Sequence, residues 1–118
     1  MYQIINKTKD KPVVLRACAA EGFFKRLFGL MFKKSLDPQD ALIFGYAILI
    51  HTCFMRFPLD VVFINKNKQV LKLYEGLKPW RIAGCIRACL TLELAPGTIK
   101  RASIQAGDIL EFIPTPKS

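Results

Sequence analysis

The chain has 118 residues, enough for one domain and too few for a two-lobed Rossmann enzyme or a full TIM barrel. A composition of 52% hydrophobic, 11% aromatic and 23% charged residues excludes wholesale disorder and describes a chain able to bury a core. Its formal charge of +9 favours anionic partners, yet residues 1–40, 41–80 and 81–118 carry eight, five and five bases against four, two and three acids, so no basic arm stands out.

Residues 2–6 read as a short strand, residues 7–10 as a polar turn, and residues 13–19, rich in Val and Leu, as a second strand. Gly22 interrupts, and Phe24, Leu27 and Phe28 fall on one face of a short predicted helix that Gly29 ends. Residues 35–40 form a loop, with Pro38 keeping Asp37 out of helical geometry. Residues 41–44 resume a strand that bends at Gly45. If residues 50–55 are extended, His51, Cys53 and Met55 share one face, and Thr52, Phe54 and Arg56 share the other. Pro58 breaks that ladder, and Asp60 opens the β-branched run Val61-Val-Phe-Ile64.

Asn65-Lys-Asn-Lys68 is a hairpin loop leading to a strand over residues 70–74, after which residues 76–84 cross over as a loop. Ala88, Leu90, Leu92 and Leu94 alternate with Cys89, Thr91 and Glu93 on a further strand. Pro96 and Gly97 turn the chain, Thr98 caps a short helix through about Ser103, and Gly107–Asp108 turn it into a last strand over residues 109–113. The sum is a mainly β (α+β) single domain over residues 1–118, with weakly ordered ends at 1–3 and 114–118. About seven short strands and two short helices make a compact, partly open barrel-like body.

Several chemistries lack their motifs. There is no phosphate-cradling P-loop, no dinucleotide fingerprint and no HExxH helix, and with one histidine a multi-histidine metal centre cannot form within the chain. Cys18, Cys53, Cys85 and Cys89 each sit in an apolar context and read as buried free thiols, so neither metal nor cofactor is expected. The start of the chain has no apolar run of signal-peptide length, and residues 41–53 are too short and mixed to span a bilayer, so a cytoplasmic protein without a membrane span is expected.

The segment IHTCFMRFPLDVVFI (residues 50–64) resembles the central pattern of a small bacterial and archaeal family of conserved proteins of unknown function. The match falls on His51, Thr52, Met55, Arg56, Phe57, Pro58, Leu59, Asp60, Val61 and Val62. Arg26-Leu-Phe-Gly-Leu-Met31, Lys78-Pro-Trp-Arg81, Glu93-Leu-Ala-Pro-Gly97 and Gly107–Asp108 continue it in order, so the resemblance runs from about residue 10 to residue 113. It implies a compact β-rich domain with small helices and supplies no reaction. Cys53 stands where the family pattern leads us to expect glycine or a bulky apolar residue, which counts against a cysteine-dependent activity. Secreted relatives with a leader segment are also expected.

The candidate site consists of His51, Thr52, Arg56, Asp60, Trp80 and Arg81. In the structural reading, Arg56 and Asp60 pair to fix the corner at Pro58. In the functional one, Arg56 and Arg81 present guanidinium forks to a carboxylate or phosphate, Trp80 walls the pocket, and His51 donates a hydrogen bond or shuttles a proton. The leading expectation is a non-enzymatic domain binding a small anion or a protein partner. The alternatives are RNA binding through aromatics such as Tyr74 beside Lys72, and a hydrolase using His51 with Asp60 or Cys53.

Overall fold

The computed structural model describes residues 1–19, 35–45, 49–51 and 57–116. Its strands are β1 (Tyr2–Asn6), β2 (Lys11–Ala19), β3 (Asp40–Gly45), β4 (Leu49–His51), β5 (Leu59–Ile64), β6 (Val70–Leu77), β7 (Ile82–Gly84), β8 (Leu90–Leu94) and β9 (Leu110–Pro114). One short helix, α1 (Thr98–Arg101), lies between β8 and β9. Seven strands form one sheet in the order β6-β5-β8-β3-β2-β1-β9, and β4 and β7 form a separate two-stranded ribbon.

Within the large sheet β2 and β3 run parallel and every other neighbour is antiparallel. The sheet curls until its edges touch at one end. There Gln69 bridges Ile109, the Val70 amide donates to the Asp108 carbonyl at 2.8 Å, and the Leu110 amide donates to the Lys68 carbonyl at 2.9 Å. The result is a half-barrel clasped at the start of β6 and β9.

Strand β5 shows why the sequence builds this shape. All six of its residues are buried, because both faces of the strand are covered. Val62 and Ile64 join the core inside the curl with Ile4, Val14, Leu92, Ile99 and Leu110. Leu59, Val61 and Phe63 join a second core on the outer face with Phe44, Phe57 and Ala83. A continuous apolar run is what burial on two faces demands. Strand β8 behaves alike: Leu92 and Leu94 point into the curl, while Thr91 and Glu93 on the other face are buried as well.

The expected barrel-like β architecture is thus observed. The helix predicted around Phe24, Leu27 and Phe28 lies outside the described residues. The hairpin loop at residues 65–68 is present, with Asn65 Oδ1 accepting the amides of Asn67 and Gln69 at 2.9 and 3.0 Å. Residues 76–84 are not wholly a loop, because β6 continues to Leu77 and β7 follows. Thr98 does not cap α1. Gly97 holds the cap position at φ 92°, and the capping acceptor comes from elsewhere in the chain.

Candidate functional site

That acceptor is Asp60. Its carboxylate is almost wholly buried, with Oδ1 accepting the Gly76 amide at 2.8 Å and Oδ2 accepting the Ile99 amide at 2.9 Å. Each amide needs an outside partner for a different reason. The β5–β6 register shifts between Leu59 and Val61, and Gly76, at φ 59°, sits in the bulge that this leaves opposite Asp60. Ile99 lies in the first turn of α1, where helical N–H groups lack intrahelical acceptors and a glycine cap has no side chain to offer. Asp60 therefore ties a bulge on the sheet edge to a helix start, a scaffolding role. Its expected partner Arg56 lies outside the described residues.

The ribbon brings together other members of the expected site. His51 pairs with Ile82, Ile50 with Ala83 and Leu49 with Gly84, so the backbone at His51 runs beside the residue that follows Arg81. Ala83 faces inward to the outer core, and Ile82 faces away with 67% of its surface exposed. The ribbon is fixed to the main sheet by Tyr74 on β6, whose hydroxyl donates to the Gly84 carbonyl at 3.3 Å and accepts the Gly84 amide at 3.5 Å. Thr52 falls outside the described residues, as do Cys53 and the rest of the segment through Arg56.

Ahead of β7 the chain turns through Lys78-Pro-Trp-Arg81. Pro79 presets its own φ, and Trp80 adopts φ 62°, a left-handed conformation that glycine takes freely and that costs other residues roughly 1–2 kcal/mol. The strained tryptophan is 58% exposed and flanked by the exposed Lys78 and Arg81. Arg81 also donates from Nη1 to the Trp80 carbonyl at 3.4 Å. Backbone strain held at an exposed aromatic is a feature of contact sites more than of cores.

Tyr74 is not an open stacking platform. Lys72 Nζ stands 5.0 Å from its ring centroid, and Phe63 meets it edge-on with centroids 6.0 Å apart. The hydrogen bond with Lys72 pulls the Tyr74 phenol below its ordinary pKa against the opposing effect of burial, and the same contact raises Lys72. The cysteines that the structure describes, Cys18, Cys85 and Cys89, carry free thiols and are half-buried, more open than expected.

A second polar cluster was not anticipated. Asp108 is buried and accepts Lys9 Nζ at 2.9 and 2.8 Å, Asn6 Nδ2 at 3.0 Å and the Gln105 amide at 3.0 Å. Burial pushes its carboxyl up, but these donors and the Lys9 charge outweigh it and leave the pKa below the ordinary value. Sequence showed only a Gly-Asp turn and a run of alternating lysines, whereas the cluster joins positions about a hundred residues apart. Two open depressions, of about 660 and 560 Å³, border Leu36, Phe57 and Pro96 in one case and Leu73, Ile99 and Lys100 in the other.

The class defined by this geometry is a curled β half-barrel carrying an exposed aromatic and basic turn beside a short ribbon. The chain belongs to the DUF192 family, described as uncharacterized, whose model matches residues 4–112. It is 37% identical over 116 residues to a UPF0127 protein of Pyrococcus furiosus, covering 92% of this chain and 97% of the relative. A UPF0127 protein of Pyrococcus abyssi is 32% identical over 120 residues, covering 96% and 99%. Among solved structures, a candidate transcription regulator from Sinorhizobium meliloti superposes with a TM-score of 0.79 at 23% identity, over 94% of this chain and 91% of that one. A protein of unknown function from Novosphingobium aromaticivorans gives 0.78 at 20% identity, over 93% and 82%. These two likenesses concern the fold.

Proposed function

We propose that this protein is a non-enzymatic binding domain that takes a small anion, or the anionic group of a protein partner, at the Trp80–Arg81 turn. In this reading His51, Thr52 and Arg56 also take part in binding, and Asp60 serves as scaffold through the Gly76 and Ile99 amides. The observation that carries the reading is the strained, exposed Trp80 next to Arg81, held beside the His51 backbone by the β4–β7 pairing. A guanidinium offers a planar fork matched to carboxylate or phosphate, and an indole beside it excludes water from one side of the contact.

Trp80 is the only tryptophan in the chain, so its fluorescence reports the turn directly. Titration with inorganic phosphate, sulfate and citrate at constant ionic strength is expected to give a saturable change with at least one of them. Arg81→Gln is expected to weaken that response by roughly tenfold or more, the ordinary consequence of losing a charge-assisted hydrogen bond. A response that never saturates, or one unaltered by Arg81→Gln, would overturn the reading.

A further inference from the structure

We infer that the Trp80–Ile86 ledge docks on an anionic lipid surface, so that the anionic groups taken at the turn are the phosphates of lipid headgroups. This rests on the reading of the turn as an anion-binding surface and adds the source of the anion.

Three large apolar side chains stand out to solvent within seven residues: Trp80 at 58%, Ile82 at 67% and Ile86 at 88% exposure. They occupy a turn, the outward face of a short strand and the turn that follows it, where the Ala88 amide donates to the Cys85 carbonyl at 3.2 Å. None of the three lines either of the depressions described above. A folded protein partner needs a shape complementary to its contact surface, whereas a bilayer deforms around protruding side chains.

Charge points the same way. Between Gly76 and Leu92 the chain carries Lys78, Arg81 and Arg87 and no acidic residue, and all three bases are exposed. Bases interspersed with isoleucine and tryptophan match an interface whose outer layer is phosphate and whose inner layer is hydrocarbon. Indole rings favour the headgroup level, and long basic side chains reach back to it while their stems stay in apolar surroundings. No described helix is long and apolar enough to cross a membrane; the contact inferred here is with the surface of one leaflet. The overall charge of +9 adds a long-range attraction toward the same surface.

The test follows Trp80 emission and acrylamide quenching with the full chain. The probes are vesicles of phosphatidylcholine alone, vesicles of phosphatidylcholine with phosphatidylglycerol at about 7:3, and inorganic phosphate without vesicles. With the anionic vesicles, emission is expected to shift to the blue, quenching to fall, and both effects to reverse as salt rises through the range where the Debye length shrinks below about 10 Å. Ile82→Ser and Ile86→Ser are each expected to weaken vesicle binding about tenfold while leaving any response to free phosphate intact. Arg87→Gln is expected to weaken it about fivefold. All three residues are exposed, and unchanged thermal midpoints would confirm intact folds.

Saturable binding of free phosphate with no response to anionic vesicles would leave the anion reading standing and overturn the lipid inference. Silence toward the vesicles and toward phosphate, sulfate and citrate alike would overturn both. Vesicle binding that survives the double isoleucine variant would move the contact to another face and overturn the ledge as its site.

Discussion

At the scale of single residues, Asp60 does the work of two local devices that the chain omits. A serine or aspartate at the cap would have satisfied α1 locally, and a regular β6 would have had no orphan amide. Gly97 and Gly76 replace those options with positive φ, and one buried carboxylate serves both amides. Asp60→Asn keeps the shape but turns one acceptor into an NH2 group facing an N–H donor. The expected loss is about 1–3 kcal/mol in urea unfolding with an unchanged slope. A loss below about 0.5 kcal/mol, typical of surface substitutions, would show that Asp60 is not the acceptor for these amides. Gly76→Ala tests the bulge separately: space is open around the added Cβ, so the cost is that of the left-handed backbone, about 1–2 kcal/mol.

Asp60 also marks where sequence reasoning stops. Its importance was legible, because an acid at the head of a β-branched run is conspicuous. Its partners were not, because backbone amides at positions 76 and 99 have no residue signature and are distant in the chain. The expected pairing with Arg56 falls on a residue outside the described ones. Trp80 and Arg81 stand out in the sequence as candidates because indole and guanidinium are chemically distinctive. The exposure of Ile82 and Ile86 is not legible there, since an isolated isoleucine in a loop reads the same whether it is buried or exposed.

At the scale of elements, the β4–β7 ribbon is the least self-sufficient part of the architecture. A two-stranded ribbon of three-residue strands does not stand alone in water. Ala83 offers the outer core only a methyl group, and Tyr74 adds a two-way hydrogen bond to Gly84. Tyr74→Phe removes the hydroxyl while keeping the ring against Phe63. It is expected to cost about 0.5–1.5 kcal/mol globally and to speed amide exchange at Gly84 more than at core residues of β5. Uniform acceleration across both strands would mean the hydroxyl stabilises the whole fold and not the ribbon in particular. The same weakness explains why β7 resembles a loop in the sequence. Ile-Ala-Gly is too short to show a two-residue period and contains glycine, whereas β5 is legible through the β-branched run Val61-Val-Phe-Ile64.

At the scale of the whole molecule, the half-barrel is held shut where its two edges meet, and that clasp is built around Asp108. The Asp108 carbonyl accepts the Val70 amide from β6, while its carboxylate gathers Asn6 from β1, Lys9 from the turn after it, and the Gln105 amide. Asn6 reaches on to the Ala102 carbonyl at 3.1 Å, linking the end of α1 to the same point. The folded-state pKa of Asp108 lies below its ordinary value, so the unfolded chain binds a proton more readily than the folded one. This contribution to stability is therefore complete above the unfolded pKa of about 3.9 and is lost as pH falls through the lower folded value. Urea midpoints are expected to hold level from neutral pH down to about 5 and to drop below about 4. Asp108→Asn should lower stability at neutral pH by roughly 1–3 kcal/mol, because a charged acceptor is lost from a part-buried Lys9 contact. The variant should also flatten the acid limb, so that the two curves converge at low pH. Amide exchange at Val70 and Leu110, whose hydrogen bonds close the clasp, should accelerate at acid pH in the parent chain ahead of exchange in β5. Parallel acid limbs in parent and variant would assign the acid sensitivity to other carboxylates, with the growing net positive charge contributing, and would remove Asp108 as the group that governs it.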